Sequence, residues 1–102
     1  MSAGSVQEFL LVSAMHPRLP QRSADILAAA WSMVGSLGID VAPVTGELAV
    51  LGAAAVVDFR GSPSRLNFGD GFTYALARAL DCPILCKGDD FAATGIAVIR
   101  PQ

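Results

Sequence analysis

The stretch "RLNFGDGFTYALARAL", Arg65–Leu80, decides how the rest of the chain is interpreted. From Phe68 onward it is typical of an apolar α-helix, yet Asn67, Gly69 and Asp70 stand at its start. A carboxylate beside so apolar a run is costly unless it caps the helix or meets a positive charge. The stretch therefore predicts a helix from Phe68 to Leu80 and raises the question of what its first acid does.

The composition indicates one small folded domain. The chain has 102 residues, of which 53% are hydrophobic and 16% charged, which excludes disorder. Its apolar stretches are shorter than the ~20 residues a membrane span needs, and "EFLLVSAM" lacks the flanks of a signal peptide. We expect a soluble, cytoplasmic protein. With a net charge of −2, the chain lacks the excess of positive charge that is typical of nucleic-acid-binding proteins. Any contact with nucleic acid must therefore depend on a local site or a metal.

Helical segments alternate with short apolar runs along the chain. This alternation predicts an α/β fold with a short, largely parallel sheet. The predicted helices span about 5–15, ended by Pro17 and Pro20, then 24–37 after a Ser23 cap, 46–59 after a Thr45 cap, and 68–80. The predicted strands are "IDVAPV" (39–44), "PILC" (83–86) and "AVIRP" (97–101).

Side-chain spacing adds two expectations. On the second helix, Leu27, Trp31 and Val34 should share a buried or interface face. Cys82 and Cys86 flank "PIL", and a strand would hold them too far apart for a disulfide. We therefore expect two free thiols, buried or half-buried.

Four of the nine acids lack an ordinary explanation as helix-start or edge residues: Glu8, Asp70, Asp89 and Asp90. The last two follow "PILC", at the carboxyl edge of the predicted sheet, where ligands bind in open α/β folds. Carboxylates aimed at one edge repel one another unless a divalent ion, Mg²⁺ or Mn²⁺, lies between them. The alternatives are a helix cap at Asp70, a solvent-facing Glu8 and an ordinary turn at Asp89–Asp90.

Two motifs resemble the C-terminal signature of PIN-domain ribonucleases of the VapC toxin type. They are "NFGD" within "LNFGDGFTYALARAL" and "KGDDF" within "PILCKGDDFAATGI". "MSAGSVQEFLLV" and "LGIDVAPVTGELA" are similar to the family's preceding segments. The resemblance implies a PIN-like three-layer fold and Mg²⁺-dependent endoribonuclease activity. It also implies an RNA substrate, a cognate antitoxin of a type II toxin–antitoxin system as protein partner, and a homodimer.

The resemblance also implies roles for individual residues. Glu8 matches the family's second acid, Asp70 its third acid and a direct metal ligand, and Asp90 the acid of the loop motif. Asp89 stands beside it at the variable position as a further candidate ligand, and Asn67 matches a polar neighbour that orients the site. The carboxylates of Glu8, Asp70 and Asp90 should then converge within roughly 10 Å, close enough to share a metal and its waters.

The chain also departs from the family pattern. The family begins with a strand bearing its first metal-binding aspartate and two helices, on the order of thirty to forty residues without a counterpart here. We therefore expect an N-terminally truncated PIN-like domain and little or no cleavage by this chain alone. The alternatives are a non-catalytic remnant that binds an antitoxin or self-associates, and a small α/β binding module whose acids are only caps and turns.

Overall fold

The computed structural model describes residues 1–16 and 23–101. The chain divides into two compact units, Met1–Pro43 and Val44–Gln102. The described residues form four α-helices and a two-stranded parallel sheet, which confirms the α/β class; the single domain stays a prediction. The elements are α1 (Ala3–Ala14), α2 (Ser23–Ser36), α3 (Gly46–Phe59), α4 (Phe68–Leu80), β1 (Ile84–Leu85) and β2 (Val98–Ile99), with a 3₁₀ turn at Ala92–Thr94.

The first unit contains α1 and α2. The Ser2 side chain caps α1 by accepting a hydrogen bond from the Gly4 N–H at 3.2 Å, so the helix begins two residues earlier than predicted. Pro17 and Pro20, which we predicted to end this helix, lie outside the described residues. After α2, Gly38 adopts the left-handed conformation, with φ at 69°, as predicted for a residue that ends a helix.

The buried face of α2 is not the face we predicted. Ile26, Ala30 and Val34 are buried at intervals of four residues. The expected burial is confirmed for Val34 but is wrong for Leu27 and Trp31, which are 39% and 55% exposed. Those two residues follow the buried ones by one position, which turns them about 100° around the helix. A role for Trp31 at an interface stays a prediction.

The segment "IDVAPV" does not form the predicted strand. Ala42 makes only an isolated parallel bridge with Ser2. Its N–H donates to the carbonyl oxygen of Met1, and its own carbonyl accepts from the N–H of Ala3, both at 2.8 Å. Pro43 follows and has no N–H to continue the ladder, so the pairing stops after one residue.

The second unit begins with α3 and α4, whose bounds match the prediction. Thr45 caps α3 by accepting from the Leu48 N–H at 3.2 Å. The two helices cross where two glycines meet: a Cβ added to Gly52 would lie 2.9 Å from the carbonyl oxygen of Gly71. A Cβ on Gly71 would lie 3.0 Å from the carbonyl oxygen of Gly52. Only residues without a side chain permit so close an approach of two backbones.

β1 and β2 pair in parallel, with Ile84 opposite Val98 and Leu85 opposite Ile99. Ile84 is buried in the core, whereas Leu85 on the other face is exposed. The strands "PILC" and "AVIRP" are therefore confirmed, although each is only two residues long. The core of this unit is a single cluster of buried residues: Ala55, Leu66, Tyr74, Ala77, Ile84, Phe91 and Ile96.

Both cysteines are free, as predicted. Cys86 is half-buried, but Cys82 is exposed, so the expected burial is wrong there. Cys82 lies just after α4, where Asp81 turns the chain through a left-handed residue with φ at 52°. Within the described ranges no helix has the length and apolar character to cross a membrane.

Candidate functional site

Asp70 has a local role at the start of α4, where it takes part in the helix cap. Asn67 is the N-cap of α4: its side-chain oxygen accepts from the Asp70 N–H at 3.0 Å. In return, the Oδ2 atom of Asp70 accepts from the Asn67 N–H, also at 3.0 Å. This reciprocal capping box satisfies two backbone donors at the helix start and places a negative charge at the positive end of the helix dipole.

Capping leaves Asp70 able to bind something else. An ionised carboxylate offers about four lone-pair positions, and the hydrogen bond from Asn67 occupies one of them. The side chain is half-buried and held on the first turn of a well-packed helix. Asp70 is therefore a fixed carboxylate with spare acceptor capacity, and its role as a metal ligand stays a prediction.

Asp89 and Asp90 lie in the loop that follows β1, and they differ in their partners. Asp89 Oδ1 forms an ion pair with Arg100 Nη2 at 2.7 Å. The Asp89 carbonyl oxygen also accepts from the Ala92 N–H at 3.1 Å, which anchors the loop to the 3₁₀ turn. Asp90 is exposed, and its carboxylate makes no hydrogen bond or ion pair with another residue in the described part of the chain.

The segments that carry Asp70 and Asp90 each contain a residue of the buried cluster of the second unit. Leu66 precedes the cap of α4 by one residue, Phe91 follows Asp90 directly, and both belong to that cluster. α4 also packs on β1, to which it is joined by a connection of three residues. Consecutive elements joined by so short a connection lie next to each other.

Glu8 is exposed on α1 and belongs to the first unit, whereas Asp70 and Asp90 belong to the second. The predicted convergence of the three carboxylates stays a prediction. Within neither unit do three or more His, Cys, Asp or Glu side chains of residues 1–16 and 23–101 form a group able to hold a metal ion. The donor chemistry nevertheless fits Mg²⁺, because carboxylate oxygens are its preferred protein ligands and it commonly binds through one or two of them plus water.

Sequence comparison identifies relatives among curated proteins, although no family model matches the chain. It is 44% identical over 79 residues to VapC ribonuclease Mb0625 of Mycobacterium bovis and to ribonuclease VapC28 of Mycobacterium tuberculosis; the match covers 74% of this chain and 59% of each relative. It is 43% identical over 67 residues to VapC ribonuclease Mb2780c of M. bovis, covering 63% of this chain and 51% of that relative.

The chain is a homologue of VapC ribonucleases. The resemblance inferred from the two motifs is thereby confirmed. The chain spans between about half and three fifths of the length of these relatives, and the predicted N-terminal truncation stays a prediction.

Sequence reasoning missed the ion pair between Arg100 and Asp89. The signal was present, because Arg100 is the last residue of the run "AVIR" and directly follows β2, which pairs in parallel with β1. Parallel strands end at the same edge of a sheet, so the residue after β2 lies beside the loop after β1. The pairing of β1 with β2 had to be known before that conclusion followed.

An apolar groove beside the start of α4 was also missed. It has a volume of about 450 Å³ and lies between α3 and α4. Its lining residues are all uncharged: Leu48, Ala49, Gly52, Ala53, Val56, Phe68, Gly71 and Phe72. Both glycines of the crossing, Gly52 and Gly71, are among these lining residues.

Proposed function

We propose that the protein is a Mg²⁺-dependent endoribonuclease with a PIN-like fold, the toxin of a VapC-type toxin–antitoxin pair. The 44% identity to proteins named VapC ribonucleases carries the proposal, because it extends over 79 residues of a chain of α/β class. Asp70 is half-buried and Asp90 is exposed. The segments that carry them contain Leu66 and Phe91, two members of the same buried cluster, and this supports the proposal further.

In this proposal Asp70 and Asp90 hold the metal and its waters, and Glu8 stays a candidate ligand that the family resemblance implies. The capping box limits the motion of Asp70, since its carboxylate is already tied to the backbone of Asn67. Asp90 is followed directly by Phe91, whose burial fixes that side of the loop. Mg²⁺, when bound, supplies a polarised water and stabilises the charge that develops on a phosphodiester. No side-chain nucleophile is needed.

RNA is the substrate in this proposal, and a cognate antitoxin is the protein partner. The chain also forms a homodimer, which the apolar character of α3 supports: Val50 and Val57 on this helix are exposed. A helix that is apolar on all sides is stable when a further surface covers it. We place the protein in the cytoplasm, where an RNA substrate is available.

The test is cleavage of total RNA by the purified chain and by a version extended upstream in its reading frame, with Mg²⁺ or with EDTA. We expect weak or no cleavage by the 102-residue chain and Mg²⁺-dependent cleavage by the extended version. Asp70→Asn should abolish that cleavage, whereas Asp58→Asn, an exposed acid at the end of α3, should leave it unchanged.

Cleavage that survives Asp70→Asn would contradict the assigned site. If the extended version folds but cleaves no RNA with either Mg²⁺ or Mn²⁺, the nuclease proposal fails. Retention of a co-expressed antitoxin by that inactive protein would favour the non-catalytic alternative. Absence of both activities would favour a small binding module whose acids are caps and turns.

A further inference from the structure

Asp89 and Asp90 are neighbours in the loop after β1, yet only one of them is paired with a cation. We propose that Arg100 competes with the metal for Asp89, so that Asp90 is the preferred ligand of this loop. Arg100 is thus a positioning residue that acts through Asp89. The inference rests on the proposed function, because it concerns how the metal site of that function is assembled.

The first observation is the geometry of the ion pair. Arg100 Nη2 lies 2.7 Å from Asp89 Oδ1, within the range of a charge-assisted hydrogen bond. Arg100 follows Ile99, which pairs in register with Leu85, and Asp89 comes four residues after Leu85. The parallel pairing of β1 and β2 therefore brings the two ends of the pair to one edge of the sheet.

The second observation is that the backbone of Asp89 is also fixed. Its carbonyl oxygen accepts the Ala92 N–H at 3.1 Å, and Phe91 is buried with only 7% of its surface exposed. Asp90 lies between these two anchored residues and is itself exposed. The loop thus holds one acid that is neutralised and one that is available.

The chemistry makes the two acids unequal as ligands. A carboxylate bound to a guanidinium must give up that hydrogen bond, at least in part, before it binds a metal. The guanidinium stays protonated across the accessible pH range and repels a divalent cation. An exposed pair of this kind changes an equilibrium by at most about fivefold. The choice between adjacent acids requires no larger effect.

The experiment measures Mn²⁺ affinity by calorimetry, with paramagnetic broadening of loop amides as a second readout, on the full chain. Asp90→Asn should weaken Mn²⁺ binding about tenfold or more, and Asp89→Asn should change it by less than about twofold. Arg100→Gln should tighten binding about two- to fivefold and extend the broadening to the Asp89 amide, because it frees a carboxylate.

Two controls separate this effect from a change in overall charge. Lys87→Gln removes a positive charge from the same loop and should tighten binding less than Arg100→Gln does. In the Asp89→Asn background Arg100→Gln should have no more effect than Lys87→Gln, since no carboxylate remains to be freed. Arg100→Lys keeps the charge and should retain the affinity of the unmodified chain.

The outcomes distinguish this inference from the proposed function. Mn²⁺ binding that is tighter in Arg100→Gln than in Lys87→Gln, with broadening that reaches the Asp89 amide, would support the inference. If Asp89→Asn weakens binding as much as Asp90→Asn does, or if Arg100→Gln equals Lys87→Gln, the inference is overturned while the proposed nuclease stands. If neither the unmodified chain nor Arg100→Gln binds Mn²⁺, the inference is overturned together with the proposed metal site.

Discussion

Helix α4 of the second unit is much better buried than helix α1 of the first. α4 buries five residues, among them Gly71 and Tyr74, and meets α3 at a crossing where two backbones approach closely. α1 buries only Val6 among its residues, and α2 leaves Trp31 exposed. Both pairs are rich in apolar residues, so composition alone does not determine how much a helix buries.

The difference bears on the candidate site. Asp70 stands on the well-packed helix α4, and its carboxylate is tied into a capping box. Glu8 stands on the exposed side of α1, a helix with little buried surface. Catalytic groups need rigid support to keep their geometry, so Asp70 is the better supported of these two candidate acids.

The largest effect should come from the cluster that supports the acidic loop. Phe91→Ala removes a buried ring and should lower the free energy of unfolding by about 3–5 kcal/mol. Phe68→Ala, which removes a ring that is 80% exposed, should change it by less than about 0.5 kcal/mol. Urea denaturation of both variants measures the difference. Similar losses would mean that the cluster is not the core of this unit.

Substitution at the glycine crossing should lower the free energy of unfolding by a smaller amount. The same substitution at a control glycine in α2 should raise it. Gly52→Ala places a Cβ against the backbone of Gly71 and should cost about 1–3 kcal/mol. Gly35→Ala meets nothing within 4 Å and should stabilise the chain by up to about 1 kcal/mol through helix propensity. Thermal or urea unfolding reports the sign. A stabilised Gly52→Ala would show that the helices do not cross here.

The capping box should contribute less to the free energy of unfolding than the glycine crossing does. Asn67→Ala should lower the free energy of unfolding by about 1 kcal/mol, because it leaves the Asp70 N–H without its acceptor. Asp70→Asn keeps an oxygen that can accept from the Asn67 N–H, so it should cost only about 0.3–1 kcal/mol through the lost charge at the helix start. Chemical denaturation measures both. A loss of several kcal/mol for Asp70→Asn would show that its carboxylate does more than cap.

The smallest effect should come from the exposed face of α2. Trp31→Gln at low protein concentration should change the free energy of unfolding by less than about 0.5 kcal/mol, since half of the side chain faces solvent. Light scattering at rising concentration then tests the predicted interface role. A variant that no longer self-associates, where the unmodified chain does, would place Trp31 in the interface; a large loss of monomer stability would contradict the buried face formed by Ile26 and Val34.

The sequence by itself determined the helices of the second unit and the identity of their caps. Thr45 and Asn67 accept backbone hydrogen bonds from residues three positions on, so the signal lies within one turn of chain. The two motifs also indicated the VapC relatives, because motif residues keep their spacing whatever surrounds them. The candidate acids followed from the same motifs, with their roles left as predictions.

Only the tertiary structure decided three other features. The buried face of α2 depends on which neighbour covers it, and periodicity did not distinguish the face of Val34 from that of Trp31. The segment containing Ala42 paired with Ser2 instead of extending a sheet, a choice made by residues about forty positions away. Arg100 meets Asp89 because two parallel strands end at one edge. Each of these depends on contacts between distant parts of the chain, which local propensity does not contain.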